Sequence, residues 1–149
     1  MRIPYMENHE LGPGTRFEFS QAHLFFWHKV ESVYYILNKL VELYKEGHSE
    51  GEALESMTMK AMEVISLFDN PVCDGGSWHM FANLVEKFGV MPKGCYPDSF
   101  STKRSRNMNE LLESKVKEFC CELLLAMAEN KSDGQVQELI KKQTQTIFK

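Results

Sequence analysis

The sequence lacks any long apolar segment. It contains no run of about 18 apolar residues, as a membrane-spanning helix would need, and its start, Met-Arg-Ile-Pro-Tyr-Met-Glu-Asn, has no apolar core of signal-peptide length. Cysteine is scarce as well. The four cysteines, Cys73, Cys95, Cys120 and Cys121, are too few and too irregularly spaced for a disulfide framework. We therefore expect a cytoplasmic protein whose cysteines are reduced thiols.

Patterns that bind metals or phosphates are missing too. The five histidines include no pair four residues apart on one helix face, since His23 and His28 are separated by five. No Cys-x-x-Cys pair occurs, and Gly75-Gly76 is not followed by the Lys-Ser/Thr of a phosphate-binding loop. We expect neither a metal site nor a cofactor.

An excess of positive charge is also absent. With 17 basic and 21 acidic residues the net charge is −4, so the overall balance attracts neither nucleic acid nor an anionic membrane. The short basic cluster of Lys103, Arg104 and Arg106 is typical of a solvated loop, with a phosphate contact as the alternative. A nucleic-acid partner is not expected.

Apolar residues at helical spacing are abundant. Hydrophobic residues make up 43% of the chain, which suits one globular domain, and no segment has the alternation of a strand. The spacing, with Gly, Pro and cap patterns at the ends, predicts helices over 20–47, 52–68, 77–88, 107–129 and 132–149. The fold class predicted is mainly α, with four to five helices.

The first predicted helix is the longest and the most apolar. Its main stripe recurs every three or four residues and is formed by Phe26, Val30, Val33, Leu37, Val41 and Tyr44. Five further apolar residues widen the stripe: Leu24, Phe25, Trp27, Tyr34 and Leu40. Gly47 is the predicted stop. We expect this helix to be buried on two sides.

The later helices have narrower stripes. In the third, the spacing places four residues inward, with Gly89 as the stop: Trp78, Phe81, Val85 and Phe88. Asn107 with Glu110 has the form of a capping box that starts the fourth. Its stripe is Leu111 or Leu112, then Val116, Phe119, Cys120, Leu123 and Met127. The last helix carries Val136, Leu139, Ile140 and Ile147 and ends without a stop signal, so we expect the polypeptide to continue.

Cys73 is the cysteine best placed to be a nucleophile. It lies just before the Asp-Gly-Gly turn that opens the third helix, and a helix N-terminus favours a thiolate. The adjacent Asp74 has the opposite effect on a thiol, however. A small cysteine in a turn is the favoured interpretation, and Cys120, on an apolar stripe, is expected in the core.

Gly75-Gly76 at a helix entrance is the feature least explained by packing. Neither residue has a side chain to keep another chain away. Exposed main-chain donors and acceptors at such a point suit an extended peptide that pairs as a strand does. A tight turn is the alternative.

The order of motifs along the chain resembles that of papain-like cysteine peptidases. That family has a Ser-Gln type segment, a Gly-Gly motif that opens a helix, a Gly-Ile/Val step and a Tyr-Pro step. The same order here is Phe19-Ser20-Gln21, Asp74-Gly75-Gly76, Phe88-Gly89-Val90 and Tyr96-Pro97.

Longer stretches resemble the bleomycin hydrolase/aminopeptidase C branch of that family. They are Phe-Ser-Gln-x-x-Leu-Phe-Phe-Trp-x-Lys-Val-Glu at 19–31, Asp-Gly-Gly-Ser-Trp-His-Met at 74–80, Val-Glu-Lys-Phe-Gly-Val-Met-Pro-Lys at 85–93 and Arg-Asn-Met-Asn at 106–109. The resemblance covers nearly the whole chain and is weakest after about Asn130. It implies that 1–149 is part of a papain-like peptidase domain, the helical part of an α+β fold. The implied parts are a helical region with an insertion (19–46 and 52–68), a substrate-cleft segment (74–100) and a helical segment (107–149).

The resemblance also implies an activity. Members of the branch are intracellular thiol aminopeptidases that act by acyl transfer through a thiolate–imidazolium pair and assemble as hexamers. The family's Gly-x-Cys-Trp nucleophile motif and matching His and Asn contexts do not occur in these residues, so no catalytic residue is assigned and this chain alone is expected to be inactive. Carried over residue by residue, Asp74, Gly75 and Gly76 match the peptide-pairing motif. Ser77 and Trp78 match positions that shape the adjoining specificity pocket.

Two functional hypotheses follow. The first hypothesis is that the chain is part of a cysteine aminopeptidase. It would be inactive by itself, because the nucleophile, the base and the orienting residue act as a unit and are not among its residues. The second, of a different class, is a non-catalytic helical domain derived from that family, which binds peptides or forms oligomers. Cooperative unfolding as a defined monomer or oligomer would favour the second.

Overall fold

The computed structural model describes residues 2–12, 14–47, 62–64, 66, 68–69 and 71–147. Within these ranges the helices are α1 (Arg2–Asn8), α2 (Gln21–Gly47), α3 (Trp78–Phe88), α4 (Phe100–Lys103), α5 (Arg106–Ala128) and α6 (Asp133–Ile147). Strand pairing among the described residues is limited to an isolated antiparallel bridge between Phe19 and Pro92. The mainly α fold class is confirmed. Most of the predicted helix 52–68 lies outside the described residues, although 62–64, 66 and 68 are helical.

The chain divides into two compact units. Unit 1 comprises residues 1–28 and 75–105, and unit 2 comprises residues 29–74 and 106–149. The boundaries fall inside α2, after His28, and between Asp74 and Gly75. Across the part of the chain that is described, no helix combines the length and apolar character needed to cross a membrane.

Unit 2 is built around aliphatic side chains. The buried cluster takes residues from α2, α5 and α6 together with Val72: Val33, Ile36, Leu37, Leu40, Val41, Val72, Leu112, Val116, Phe119, Cys120, Leu123, Met127, Val136 and Ile140. Of the two leucines considered for the α5 stripe, Leu112 is the buried one, because Leu111 is 63% exposed. Burying each large apolar side chain contributes about 1.5–3 kcal/mol, which makes this cluster the main stabilising element of the unit.

Polar bonds join the helices of unit 2 at the edges of this cluster. Gln143 on α6 is buried and donates from Nε2 to the Phe119 carbonyl at 3.4 Å and to Glu122 Oε2 at 2.8 Å. The Lys45 ammonium lies 2.7 Å from a carboxylate oxygen of Asp133, at the start of α6. The predicted last helix is therefore confirmed and packs against α5.

Unit 1 is stabilised by aromatic rings and main-chain bonds. The ring of Tyr5 on α1 stacks on Phe17 at 4.8 Å and meets Phe19 edge-on at 5.2 Å. Helix α1 was not predicted, because seven residues span only about two turns, too few to show a periodic stripe. Pro4 also lies within it, in the first turn, where the absence of an N–H does not disturb the helix.

The ends of α3 agree with the prediction. Ser77 is the N-cap, and its hydroxyl accepts from the Met80 N–H, while Gly89, at φ 70°, is the C-cap and its N–H donates to the Val85 carbonyl. A positive φ suits glycine at this position because it lacks the Cβ that would strain other residues.

The predicted inward position of Trp78 is wrong. Trp78 is 77% exposed, and the buried residue of α3 is Leu84, which the stripe omitted. Helical side chains lean towards the N-terminus of their helix. Because Trp78 is the first residue of α3, its side chain projects past the helix end, where no preceding turn lies beneath it.

The predicted capping box at Asn107 is also wrong. Helix α5 begins at Arg106, so Asn107 lies inside the first turn, and Glu110 instead accepts from Arg106 Nε at 3.1 Å. A capping box does occur at α4, which was not predicted: Ser99 Oγ accepts from the Thr102 N–H at 3.2 Å, and the Ser99 N–H donates to Thr102 Oγ1 at 2.9 Å. The Ser-x-x-Thr pattern has the form of a box with a hydroxyl in place of the usual carboxylate.

Candidate peptide-binding site

The Gly-Gly segment of unit 1 is open to solvent. Residues 75–77 are non-helical and exposed, and they lead directly into α3. Ser77 has φ −97° and ψ 163°, a strand-like conformation. Main chain in this conformation at an exposed position can pair with an extended peptide.

A side chain at Gly76 would cause neither backbone strain nor a clash with the described residues. Its φ lies outside the left-handed region, and a Cβ added there would lie 3.9 Å from His28 Nε2 and 4.0 Å from Met80 Sδ, which are ordinary contact distances. Gly89 differs, since its φ of 70° requires glycine although no atom would meet a Cβ within 4 Å. Without a side chain at this exposed position, Gly76 leaves room for close approach of another chain.

The side chains after the glycines have distinct tasks. The Ser77 hydroxyl accepts from the Met80 N–H at 3.3 Å and thereby caps α3. Trp78 presents most of its indole to solvent, and its ring lies 5.2 Å from that of Phe81. A large aromatic surface of this kind can pack against a ligand side chain.

Asp74 belongs to unit 2, and its carboxylate is engaged there. Asp74 Oδ1 lies 2.5 Å from Lys29 Nζ and accepts from Asn109 Nδ2 at 2.9 Å. Sequence reasoning missed both partners. A signal for Lys29 was present, because it is a cation between Trp27 and Val30 on a helix that is apolar over most of its surface.

The cysteines differ in their surroundings. Cys73, Cys95 and Cys121 are exposed, and none of the four is in a disulfide. Cys120 is buried in unit 2, where burial and the neighbouring Cys121 raise the pKa of its thiol to about 12. A thiol with so high a pKa is inert as a nucleophile.

The side chains of His23, Arg104 and Arg106 each contact another side chain. Buried His23 accepts at Nε2 from the indole N–H of Trp27 at 3.1 Å, and no group of His, Cys, Asp and Glu suited to a metal occurs in the ranges that the structure covers. The Arg104 guanidinium lies over the Phe100 ring at 5.7 Å, and Arg106 pairs with Glu110. These basic residues are therefore engaged with side chains of their own units.

Comparisons with known proteins agree on one family. A family model described as Peptidase C1-like family matches residues 1–149. The bleomycin hydrolase of Rattus norvegicus is 36% identical over 100% of this chain and 30% of its own length, and that of Homo sapiens is 38% identical over 91% and 27%. Cysteine proteinase 1, mitochondrial, of Saccharomyces cerevisiae is 36% identical over 87% and 25%.

A solved structure has the same fold. The crystal structure of PepW from Lactobacillus rhamnosis HN001 superposes with a TM-score of 0.76 at 27% identity, over 98% of this chain and 30% of PepW. The chain thus spans about 30% of the length of the rat relative and of PepW. With a family model matched from its first residue to its last, the chain belongs to the peptidase C1-like family of cysteine peptidases.

Proposed function

We propose that this chain supplies one wall of the peptide cleft of a cysteine peptidase, with Gly75-Gly76 as the main-chain docking segment. The observation that carries the proposal is the non-helical, solvent-exposed main chain at 75–77, where Gly75 and Gly76 have no side chain to keep a peptide away. Trp78, exposed beside it in the same unit, borders the specificity pocket. Ser77 contributes by capping α3 and so holds the helix start next to the segment.

In the whole peptidase, the reaction is acyl transfer. A cysteine thiolate attacks the carbonyl of the scissile amide, a histidine protonates the leaving amine, and water then releases the acyl group. The residues of this chain bind and orient the peptide, since a fixed main-chain register brings the scissile carbonyl to the nucleophile. We place 1–149 within a papain-like domain, with 74–100 as its substrate-cleft segment.

The finer assignments follow the bleomycin hydrolase names of the relatives. We propose that the whole enzyme is an aminopeptidase that acts on peptides, is located in the cytoplasm and assembles as a homo-oligomer, a hexamer by analogy with that branch. The mitochondrial name of the yeast relative makes location the assignment most in need of a direct test. Fluorescent tagging of the whole gene product would decide it.

Peptide docking can be tested on the 149-residue chain by NMR. An extended tetrapeptide amide is titrated into ¹⁵N-labelled protein, and the amides of Gly75, Gly76 and Ser77 and the indole N–H of Trp78 are followed. We expect these signals to shift together with one saturating dissociation constant. A peptide with an N-methylated backbone, which cannot donate to the segment, is the control and should shift them far less. Shifts confined to other residues would count against docking here.

An activity assay of the 149-residue chain distinguishes a chain that only binds peptide from one that is itself catalytic. The 149-residue chain is expected to show no turnover of a fluorogenic amino-acid amide, because the cleft residues bind without a nucleophile–base pair among them. Turnover that iodoacetamide abolishes, and that disappears in Cys73→Ser, would show that Cys73 is a nucleophile and would contradict the role given to the chain.

A further inference from the structure

Lys29 is a buried cation near the start of unit 2. Its side chain is only 2% exposed, although lysine is among the residues least often buried without a partner. An ammonium group loses its hydration when it is buried. Its burial is tolerated only where acceptor atoms of the protein replace the lost water. The acceptors of Lys29 therefore show what this residue organises.

Three consecutive residues supply those acceptors. Lys29 Nζ donates to the Val72 carbonyl at 2.8 Å, to the Cys73 carbonyl at 3.0 Å and to Asp74 Oδ1 at 2.5 Å. An ammonium group has three N–H donors, and here each meets an acceptor from a different residue of one short segment. Residues 72–74 are thus wrapped around one nitrogen atom, and a rotation of any of them would leave a buried donor unpaired.

The same segment is held from a second helix. Asp74 Oδ1 accepts from Asn109 Nδ2 on α5 at 2.9 Å, and the Val72 side chain is fully buried in the aliphatic cluster of unit 2. We call Lys29, Asp74 and Asn109 the Lys29 clamp. Through it, the residue that precedes Gly75 is fixed to both α2 and α5.

We infer that the Lys29 clamp positions the peptide-docking segment, and that Asp74 acts through this clamp rather than by contacting the peptide. This inference rests on the proposed function of Gly75-Gly76. The next peptide bond after Asp74 begins the docking segment, so the clamp restricts the motion of the residue to which that segment is joined. Glycines are the most mobile residues of a chain, and a docking segment made of two of them needs a rigid anchor to bind without a large entropic cost.

Lys29→Met tests the clamp, because methionine keeps the apolar stem and removes the ammonium group. Lys45→Met is the matched control: it removes the same charge from the same helix, at a side chain that is 52% exposed. In peptide-free ¹⁵N-labelled protein, we expect Lys29→Met to lower the heteronuclear NOE of Gly75 and Gly76 and to speed their amide exchange, whereas Lys45→Met leaves both unchanged. Unaltered Gly75 and Gly76 amides in a folded Lys29→Met protein would overturn the inference.

Peptide affinity gives the second readout. At a temperature where the variant is folded, Lys29→Met should weaken tetrapeptide binding by about tenfold or more, because a docking segment without its anchor must be ordered when the peptide binds. A purely structural role would lower the unfolding midpoint and leave the affinity of the folded fraction unchanged, which would contradict the inference. If Lys29→Met does not fold, Asn109→Ala removes one arm of the clamp at a half-buried site and should weaken binding in the same direction.

Two peptides distinguish positioning from direct contact by Asp74. If the Asp74 carboxylate bound the ammonium of a peptide's N-terminus, Asp74→Ala would weaken binding of a free-amine peptide and spare its N-acetylated counterpart. The clamp predicts equal losses for both, and a loss confined to the free-amine peptide would refute it. Should the unchanged chain bind neither peptide, the proposed function fails, while the Gly75 and Gly76 amides of the peptide-free protein still test the clamp.

Discussion

The two units are stabilised in different ways. In unit 2, α2, α5 and α6 enclose a contiguous cluster of buried, mostly aliphatic side chains. Unit 1 relies on aromatic pairs, such as Trp27 stacked on Phe88 at 4.0 Å, and on bonds to the main chain, such as that from Ser20 Oγ to the Tyr96 carbonyl at 2.6 Å. A continuous aliphatic core needs whole helix faces, whereas ring pairs and main-chain bonds can stabilise short turns.

The difference assigns the units separate tasks. Unit 2 contains the buried cluster, which stabilises it, and the Lys29 clamp. Unit 1 leaves the non-helical main chain at 75–77 and the Trp78 ring open to solvent, and the proposed function assigns peptide docking to them. Changes in unit 2 should therefore alter stability first, and changes at the Gly-Gly segment should alter binding first.

The largest effect on stability is expected at Leu123, which is fully buried in unit 2. Leu123→Ala removes packed methyl groups and leaves a cavity, so the free energy of unfolding should fall by about 2–5 kcal/mol. Leu125→Ala on the same helix, at a side chain 65% exposed, should change it by less than about 0.5 kcal/mol. Urea unfolding followed by circular dichroism measures both, and similar losses for the two would contradict the assignment of the core.

The thiols provide the next contrast. With a pKa of about 12, Cys120 has a thiolate fraction of roughly 10⁻⁴ at pH 8, and burial also keeps reagents away. Alkylation of the folded protein, followed by peptide mass spectrometry, should label Cys73, Cys95 and Cys121 well before Cys120. Denaturation should abolish the difference, and early labelling of Cys120 in folded protein would show that the unit 2 core is open.

The raised pKa of Cys120 also predicts a pH effect. The pKa is higher in the folded state than the ordinary value of 9.0, so the unfolded state loses this proton first as the pH rises. The stability contributed by the neutral thiol is complete below pH 9 and is lost as the pH rises towards 12. In Cys120→Ala, this part of the alkaline loss of stability should disappear.

Two glycines should respond with opposite signs. Gly89→Ala forces a Cβ into φ 70° and ψ −169°, a region adopted almost only by glycine, and should cost about 1–3 kcal/mol. Gly134→Ala lies in α6, where a Cβ would meet no atom within 4 Å, and should stabilise by about 0.5–1 kcal/mol through helix propensity. Thermal unfolding of the two variants compares them directly, and a neutral Gly89→Ala would show that the C-cap of α3 is not strained.

The smallest effect is expected at the ion pairs of Lys93 in unit 1. Bonds to Lys93 lower the pKa of Glu18, and bonds to Glu18 and Asp98 raise that of Lys93. The contribution should therefore be lost as the pH falls below the ordinary range of Glu18, and again as it rises above that of Lys93. These side chains are exposed, so salt should screen the pair. Lys93→Gln should reduce stability slightly in low salt and not in high salt.

Helical periodicity predicted much of unit 2. The α5 stripe of Val116, Phe119 and Leu123 and the Val136–Ile140 stripe of α6 are buried as expected, because a long amphipathic helix repeats its signal several times. Unit 1 was harder. Helices α1 and α4 are too short to show a period, and Trp78 lies at a helix end, where spacing does not decide exposure.

The candidate site was only partly predictable. The Gly-Gly motif is visible in the sequence, but the Lys29 clamp depends on residues 29, 74 and 109, which only the fold brings together. Local patterns contain no information on contacts between residues 35 to 45 positions apart. The Asp74 carboxylate, assigned to the peptide-binding motif by resemblance, has its described bonds within unit 2.

Gly76→Ala tests the central claim most directly. The added Cβ meets only ordinary contacts inside unit 1, so the free energy of unfolding should stay within about 0.5 kcal/mol of the unchanged chain. The same methyl group would lie on the surface that the peptide approaches, and tetrapeptide affinity measured by NMR titration should fall by about tenfold or more. Unchanged affinity in a stable Gly76→Ala protein would contradict the claim that this segment docks the peptide.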